Sequence, residues 1–217
     1  MQITFISDTH TLHDRVTDDL PGGDMIIHAG DVSSRGIKRE IDEFLEWFSS
    51  LNYKYKIFIA GNHDFSFELP RHSREVESAI RIPDNVIYLQ DNLVDIEGIK
   101  IYGTPWQPRF YNWAFNVDRG EAIAQKWKLI PEDIDILVTH GPPYGILDRT
   151  QYGDVVGCEE LYKRVFEVKP KINVFGHIHE GYGIKELDGV WFINASVLNH
   201  RYSYTNEPVV ITYPLDI

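Results

Sequence analysis

The chain is nearly free of cysteine: Cys158 stands alone among 217 residues. A single thiol excludes an internal disulfide framework. Cys158 has no activating neighbour in sequence, so it reads as a bystander and not as a nucleophile. So little cysteine points to a reducing compartment, and the cytoplasm is the expected location. Positive charge is also scarce. There are 21 Lys and Arg against 33 Asp and Glu, for a formal net charge of −12. That balance argues against extended nucleic acid as a partner, because a phosphate backbone needs clustered cations. A small phosphate ester stays open, since bound divalent cations can dominate the local field of an acidic protein. No apolar run approaches the length of a membrane span, so no membrane role is expected. The start, Met1-Gln2-Ile3-Thr4-Phe5-Ile6-Ser7-Asp8, lacks a basic region and a cleavage site and reads as a first strand. Linkers, repeats and low-complexity stretches are missing too, so a single domain over 1–217 is expected. Nothing in the sequence specifies an oligomeric state.

What the chain has is a sizeable apolar fraction, 43% of residues, enough for a large core. It also has one layout used five times. A short β-rich apolar run ends, and a cluster of His, Asp or Asn follows, with glycine in four of the five. Gln2 to Ile6 leads to Asp8-Thr9-His10. Asp24 to Ala29 leads to Gly30-Asp31, with His28 inside the run as a core or supporting histidine. Tyr55 to Ala60 leads to Gly61-Asn62-His63-Asp64, where Gly61 is expected to free the turn. Ile134 to Val138 leads to Thr139-His140-Gly141-Pro142-Pro143, and Ile172 to Phe175 leads to Gly176-His177-Ile178-His179. Loops after strands are common mounts for catalytic groups. In extended chain, residues two apart share a side, so Asp8 with His10, and His177 with His179, are each expected to face one way.

Between these runs, helix-period apolar residues Ile37, Ile41, Phe44, Leu45 and Phe48 predict a helix over Ser34 to Leu51. Further helices are expected over Glu68 to Ile80, Glu121 to Leu129 and Gly157 to Val168. Val86 to Leu89 and Val209 to Tyr213 read as strands. Leu93 to Ile96 with Ile99 to Tyr102, and Ile184 to Leu187 with Val190 to Ile193, read as hairpins across Glu97-Gly98 and Asp188-Gly189. Strands alternating with helices, plus hairpins, predict an α/β fold with mixed sheets. Residues 103–116 hold two prolines and are expected to be irregular. Trp106, Phe110, Tyr111, Trp113 and Phe115 crowd this stretch. It is either a packed surface loop or a wall of a substrate pocket, with Trp106 and Phe110 offering faces for a base. Arg109 would meet a phosphate or face water.

Together the strand-end groups are Asp8, His10, Asp31, Asn62, His63, Asp64, His140, His177 and His179. They offer oxygen and imidazole nitrogen but no thiolate, a set suited to manganese, iron or zinc and not to a thiolate zinc site. They are too many for one ion. A pair of divalent ions about 3.5–4 Å apart, sharing a carboxylate, would use most of them and would suit phosphoryl displacement.

The ordered series Asp8-x-His10, Gly30-Asp31, Gly61-Asn62-His63-Asp64, His140 and Gly176-His177-x-His179 resembles the calcineurin-like metallophosphoesterases. The motifs run from residue 8 to 179 in the family's order. Thr139 to Pro143, Phe175 to Gly183 and Trp106-Gln107-Pro108 look like the metallophosphoesterase-domain-containing (fetal-brain 239) subfamily. Some animal members of that subfamily lack the first His of Gly-His-x-His and are poor enzymes; this chain keeps His177. The resemblance implies a four-layer α/β/β/α sandwich of two mixed sheets. By motif it implies Asp8, His10 and His179 on one metal, Asn62, His140 and His177 on the other, and Asp31 as the bridge. A hydroxide between the metals would attack phosphorus in line. His63 would be the general acid, with Asp64 orienting it. The subfamily likeness points to phosphodiesters, including 2′,3′- or 3′,5′-cyclic nucleotides. The competing readings are a phosphomonoesterase or protein phosphatase with the same site, and a nucleotide-binding scaffold with little turnover.

Overall fold

The computed structural model describes residues 1–68 and 80–215. In chain order the first half gives β1 (Gln2–Ile6), β2 (Gly23–His28), α1 (Lys38–Ser50), β3 (Tyr53–Phe58), α2 (Phe65–Glu68) and β4 (Ile87–Tyr88). Then come β5 (Asn92–Ile96), β6 (Ile99–Thr104), β7 (Gln107–Pro108), β8 (Asn116–Val117), α3 (Glu121–Trp127), β9 (Ile136–Thr139) and α4 (Glu159–Val168). The chain closes with β10 (Ile172–Phe175), β11 (Gly183–Leu187), β12 (Val190–Asn194) and β13 (Val209–Thr212). Apart from its end residues, the helix expected over 68–80 lies outside the described residues.

Two large mixed sheets form, ordered β13-β1-β2-β3-β4 and β11-β12-β10-β9-β6-β5. Strands β1 to β4 run parallel, with β13 antiparallel at the edge. In the second sheet β6, β9, β10 and β12 are parallel and β5 and β11 are antiparallel edges. Alternation along each strand builds the layers. Ile3, Phe5, Met25, Ile27 and Ile57 of the first sheet meet Ile101, Ile136, Val138, Ile172, Val174 and Ile193 of the second in one buried core. The opposite face of the first sheet, with Ile26 and Phe58, packs on Ile41, Phe44 and Phe48 of α1. Leu137, Phe175 and Phe192 pack outward on Ile123 and Trp127 of α3 and Leu161 and Val165 of α4. The result is the expected α/β/β/α sandwich.

The hairpins turn at Glu97-Gly98 and Asp188-Gly189 as expected, with positive φ at all four residues, the backbone that two-residue hairpins require. Two expectations shift. Helix α1 starts at Lys38 and not at Ser34. The backbone N–H groups of Ser34 and Arg35 donate to the Glu40 carboxylate at 3.1 and 2.7 Å, and Gly36 has φ +65°. Ile37 therefore ends up half exposed instead of in the core. Residues 103–116 are also less irregular than their prolines suggested. β7 pairs in parallel with β8. Gln107 and Arg109 donate to the carbonyls of Phe115 and Val117 at 3.0 and 2.9 Å. Pro108 falls between these two donors, where its missing N–H costs the ladder nothing.

Candidate metal centre

Because β1, β2, β3, β9 and β10 run parallel, their C-terminal ends share one edge of the sandwich, and all five polar clusters gather there. The clusters are not extended. Asp8, His10, Asp31 and His177 have φ of 56°, 42°, 55° and 67°, a region that non-glycine residues seldom occupy. Same-side extended geometry is thus not what joins Asp8 to His10, and His177 and His179 diverge into different groups. Gly61 corrects another expectation. It is needed for space, not for a left-handed turn: a Cβ there would collide with Asp31 and with the His140 ring.

Ligand-type atoms converge in overlapping groups. Asp8, His10 and His179 form one, Asp31, His140 and His177 another, and His10, Asp31 and His63 a third. Asp31 links them: its Oδ2 lies 3.6 Å from His10 Nε2 and 3.3 Å from His140 Nε2. His179 Nε2 is 3.5 Å from Asp8 Oδ1, and Asn62 Oδ1 is 2.9 Å from His140 Nε2. Two ligands about 2.1 Å from one ion at octahedral or tetrahedral angles would be about 3.0–3.4 Å apart. The observed spacings fall close to that range.

Tautomers point the same way. Four imidazoles give Nδ1 to a backbone carbonyl: His10 to Ser33 at 3.2 Å, His63 to Ser34 at 2.8 Å, His140 to Ala29 at 2.9 Å and His179 to Asn199 at 3.0 Å. A carbonyl only accepts, so Nδ1 carries the hydrogen and Nε2 is left for the centre. His10 Nε2 is buried with no hydrogen-bond partner among the described residues, an orphaned acceptor of the kind a cation satisfies.

The electrostatics agree. Burial alone would raise Asp8, yet the His179, His140 and His10 imidazoles hold it well below the usual carboxylate range. Asp31 is held low against burial by His140, then His10 and His63. Burial would lower His140 and His179, but Asp31 and Asp8 respectively push each up to about 9. His10 and His177, where burial dominates, fall to about 4 and about 3. Two buried anions that attract protons onto neighbouring imidazoles would attract a divalent cation for the same reason. The donor set therefore fits divalent metal.

The mounts are specific. Ser196 Oγ donates to Asp8 Oδ2 at 2.7 Å, and the His177 N–H reaches the same carboxylate at 3.0 Å. His28 takes the Gly30 N–H on Nδ1 at 3.2 Å. Its Nε2–H must then be the donor to Thr9 Oγ1, 3.0 Å away, so one neutral ring ties the 8–10 loop to the 30–31 loop. Asp64 makes no hydrogen bond to the His63 ring. Its oxygens accept from the N–H groups of Val32, Ser33 and Gly61 and from Ser33 Oγ, at 2.6–3.2 Å. Burial, then Asp31, pushes its carboxyl up to about 6. The partner of the His63 ring is the Ser34 carbonyl.

A cavity of about 330 Å³ opens over these groups, lined by His10, Asp31, Asn62, His63, His177 and His179 among others. Arg109 and Phe110 line it too. Trp106 does not. It packs edge-on against Phe115, donates to Asp91 at 2.7 Å and carries Lys126 over its face. Among the wall residues to which sequence reasoning gave no individual role are Trp113, Tyr202 and Arg119. Trp113 was one aromatic among five in its stretch, and Tyr202 stands near no motif. Only tertiary contact singles them out.

Phosphoester chemistry is what such a divalent-metal donor set suits. The chain belongs to the calcineurin-like phosphoesterase family, whose model matches residues 1–181. It is 44% identical to the human Metallophosphoesterase domain-containing protein 1, over 96% of this chain and 70% of that protein. It is 40% identical to the Caenorhabditis elegans UPF0046 protein T07D4.2, over 90% of this chain and 56% of that one. Among solved structures, the phosphopantetheinyl hydrolase of Mycobacterium tuberculosis superposes with a TM-score of 0.63 at 17% identity, covering 99% of this chain and 96% of that one. That likeness is one of fold. No helix among the described residues is long and apolar enough to cross a membrane.

Proposed function

We propose that the chain is a dimetal-dependent phosphodiesterase for a small phosphodiester, a cyclic nucleotide being the leading candidate. The observation that carries this reading is the position of Asp31 between two sets of ligand-type atoms. Asp8, His10 and His179 would hold one divalent ion, and Asn62, His140 and His177 the other, with Asp31 shared. Bound there, the ions supply Lewis-acid stabilisation of phosphoryl oxygens and water of lowered pKa.

The side chains do the rest. His63 has Nδ1 fixed on the Ser34 carbonyl, so Nε2 can hold a proton for the leaving oxygen. Phe110 lines the cavity and offers an apolar face to a planar group. Arg109 is tied to Asp118 through Nε at 2.5 Å, and its other N–H groups would meet a phosphate oxygen.

The test is hydrolysis of bis-p-nitrophenyl phosphate beside p-nitrophenyl phosphate, after metal stripping and refilling with manganese. Diester preference supports the reading and leads to a cyclic-nucleotide panel. Monoester preference overturns it in favour of a phosphatase. Binding of manganese and nucleotide without turnover of either ester would favour a scaffold.

A further inference from the structure

The stretch 109–117 is fastened to the turn that carries Asn62 and His63. Ala114 and Phe115 are fully buried, and they sit in one cluster with Ala60, Phe65 and Trp106. The Ala114 N–H donates to the Asn62 carbonyl at 3.0 Å. The Asn116 side chain pins the other limb, donating to the carbonyls of Phe110 and Tyr111 at 3.2 and 3.0 Å. Trp113 is mounted between these anchors. Its ring lies over the His63 ring with centroids 4.1 Å apart and planes inclined by 29°. The edge of His10 meets His63 at 4.6 Å and 80°. The carbonyl of Ser34 holds Nδ1.

From these contacts we infer that Trp113 is a positioning residue for His63. The Ser34 hydrogen bond fixes one point of the imidazole but leaves rotation about that contact. A stacked indole removes that freedom and keeps Nε2 aimed into the cavity. This inference rests on the reading of His63 as general acid. In that step water forms the new bond to phosphorus, the bond from phosphorus to the leaving oxygen breaks, and that oxygen keeps the electron pair. It takes the proton from His63 Nε2, and the proton lost by water returns to His63 through solvent. An acyclic diester gives a monoester and an alcohol; a cyclic one opens to a single monoester that carries the freed hydroxyl. Loss of ring alignment would matter little for a leaving group stable as an anion and much for one that needs the proton. A misplacement of about 1 Å can cost roughly 10²-fold in rate.

The experiment compares the manganese-loaded parent, Trp113→Leu, Trp113→Phe and His63→Ala on bis-p-nitrophenyl phosphate and on diphenyl phosphate. The latter's phenolate is the poorer leaving group. For Trp113→Leu, kcat on diphenyl phosphate is expected to fall by roughly 10–10²-fold. On the nitrophenyl ester kcat should stay within a few-fold, with KM and manganese content unchanged. Trp113→Phe keeps a stacking ring and should recover most of the loss. His63→Ala should show the same leaving-group pattern more strongly, and adding Trp113→Leu to it should cost nothing more. Equal losses on both esters, or a change in KM alone, would overturn the inference and make Trp113 a structural or substrate-contact residue. A His63→Ala variant insensitive to the leaving group would sink the general-acid reading itself, and the inference with it. Trp113→Met serves for the same comparison if Trp113→Leu does not fold.

Discussion

Ser196 donates to Asp8 across the line where the two sheets meet, Oγ to Oδ2 at 2.7 Å. The contact is built in, because Ser7 and Ser196 form a parallel bridge between the end of β1 and the residues after β12. Ser196→Ala removes one donor and leaves the His177 N–H in place. Metal affinity should fall by about 10–100-fold, as for other partners that orient a ligand, while the fold loses only about 1 kcal/mol. Manganese titration together with thermal melting separates the two effects. Unchanged affinity would remove Ser196 from the account of the centre.

Asp64 serves the loops around it, and its substitution should show that. Asp64→Asn turns one acceptor into an NH2 group facing backbone donors, at a cost of about 2–4 kcal/mol. His63→Ala should leave stability close to the parent and lower activity on diphenyl phosphate by ~10²–10⁴-fold. Denaturant unfolding and kinetics on both variants make the comparison. A stable Asp64→Asn with lost activity would return Asp64 to the role of orienting His63.

Gly61→Ala tests space and not backbone freedom. The added methyl would strike Asp31 and the His140 ring, so the shared carboxylate must move. Bound manganese should fall from two equivalents toward one or none, even if the chain stays folded. Two ions per chain by elemental analysis would contradict this.

The buried His28 gives the fold an acid limit. Burial lowers its pKa to about 3, whereas the unfolded value is about 6.5. Between those values the unfolded chain binds a proton that the folded ring refuses, so stability drops as pH falls below about 6.5. From pH 7.5 to 5 the loss from this one group is on the order of 2 kcal/mol. Protonation also ends its acceptance of the Gly30 N–H. His28→Gln should be less stable at pH 7.5 yet lose less on going to pH 5, as read by urea unfolding at both values.

Much of this was legible in the chain. Short apolar runs such as Ile3-Thr4-Phe5-Ile6 and Ile136-Leu137-Val138 marked strands locally, and with the helices between them they gave an α/β fold with mixed sheets; the four-layer sandwich came from the family resemblance. Polar clusters at five strand ends marked the centre, because parallel strands deliver their ends to one edge. What stayed hidden depends on tertiary contact. Nothing around Asp64 says that its oxygens are taken by Val32, Ser33 and Gly61. Trp106 and Trp113 look alike in sequence, yet one is tied to Asp91 and the other lies over His63. The left-handed backbone at Asp8 and His177 is likewise seen only in the folded structure.

Two of the three groups of candidate ligands draw on both sheets. Asp8 and His10 follow β1 while His179 follows β10; Asp31 follows β2 while His140 and His177 follow β9 and β10. A change in the width of the apolar layer between the sheets would therefore be expected to shift the ligands that follow one sheet against those that follow the other. A hydrophobic side chain such as Ile101 or Val174, buried in that layer, acts as a shim. Trimming shims one at a time, with every ligand left untouched, would grade the affinity for ions of different radius and turn the dry interior into a dial for metal choice.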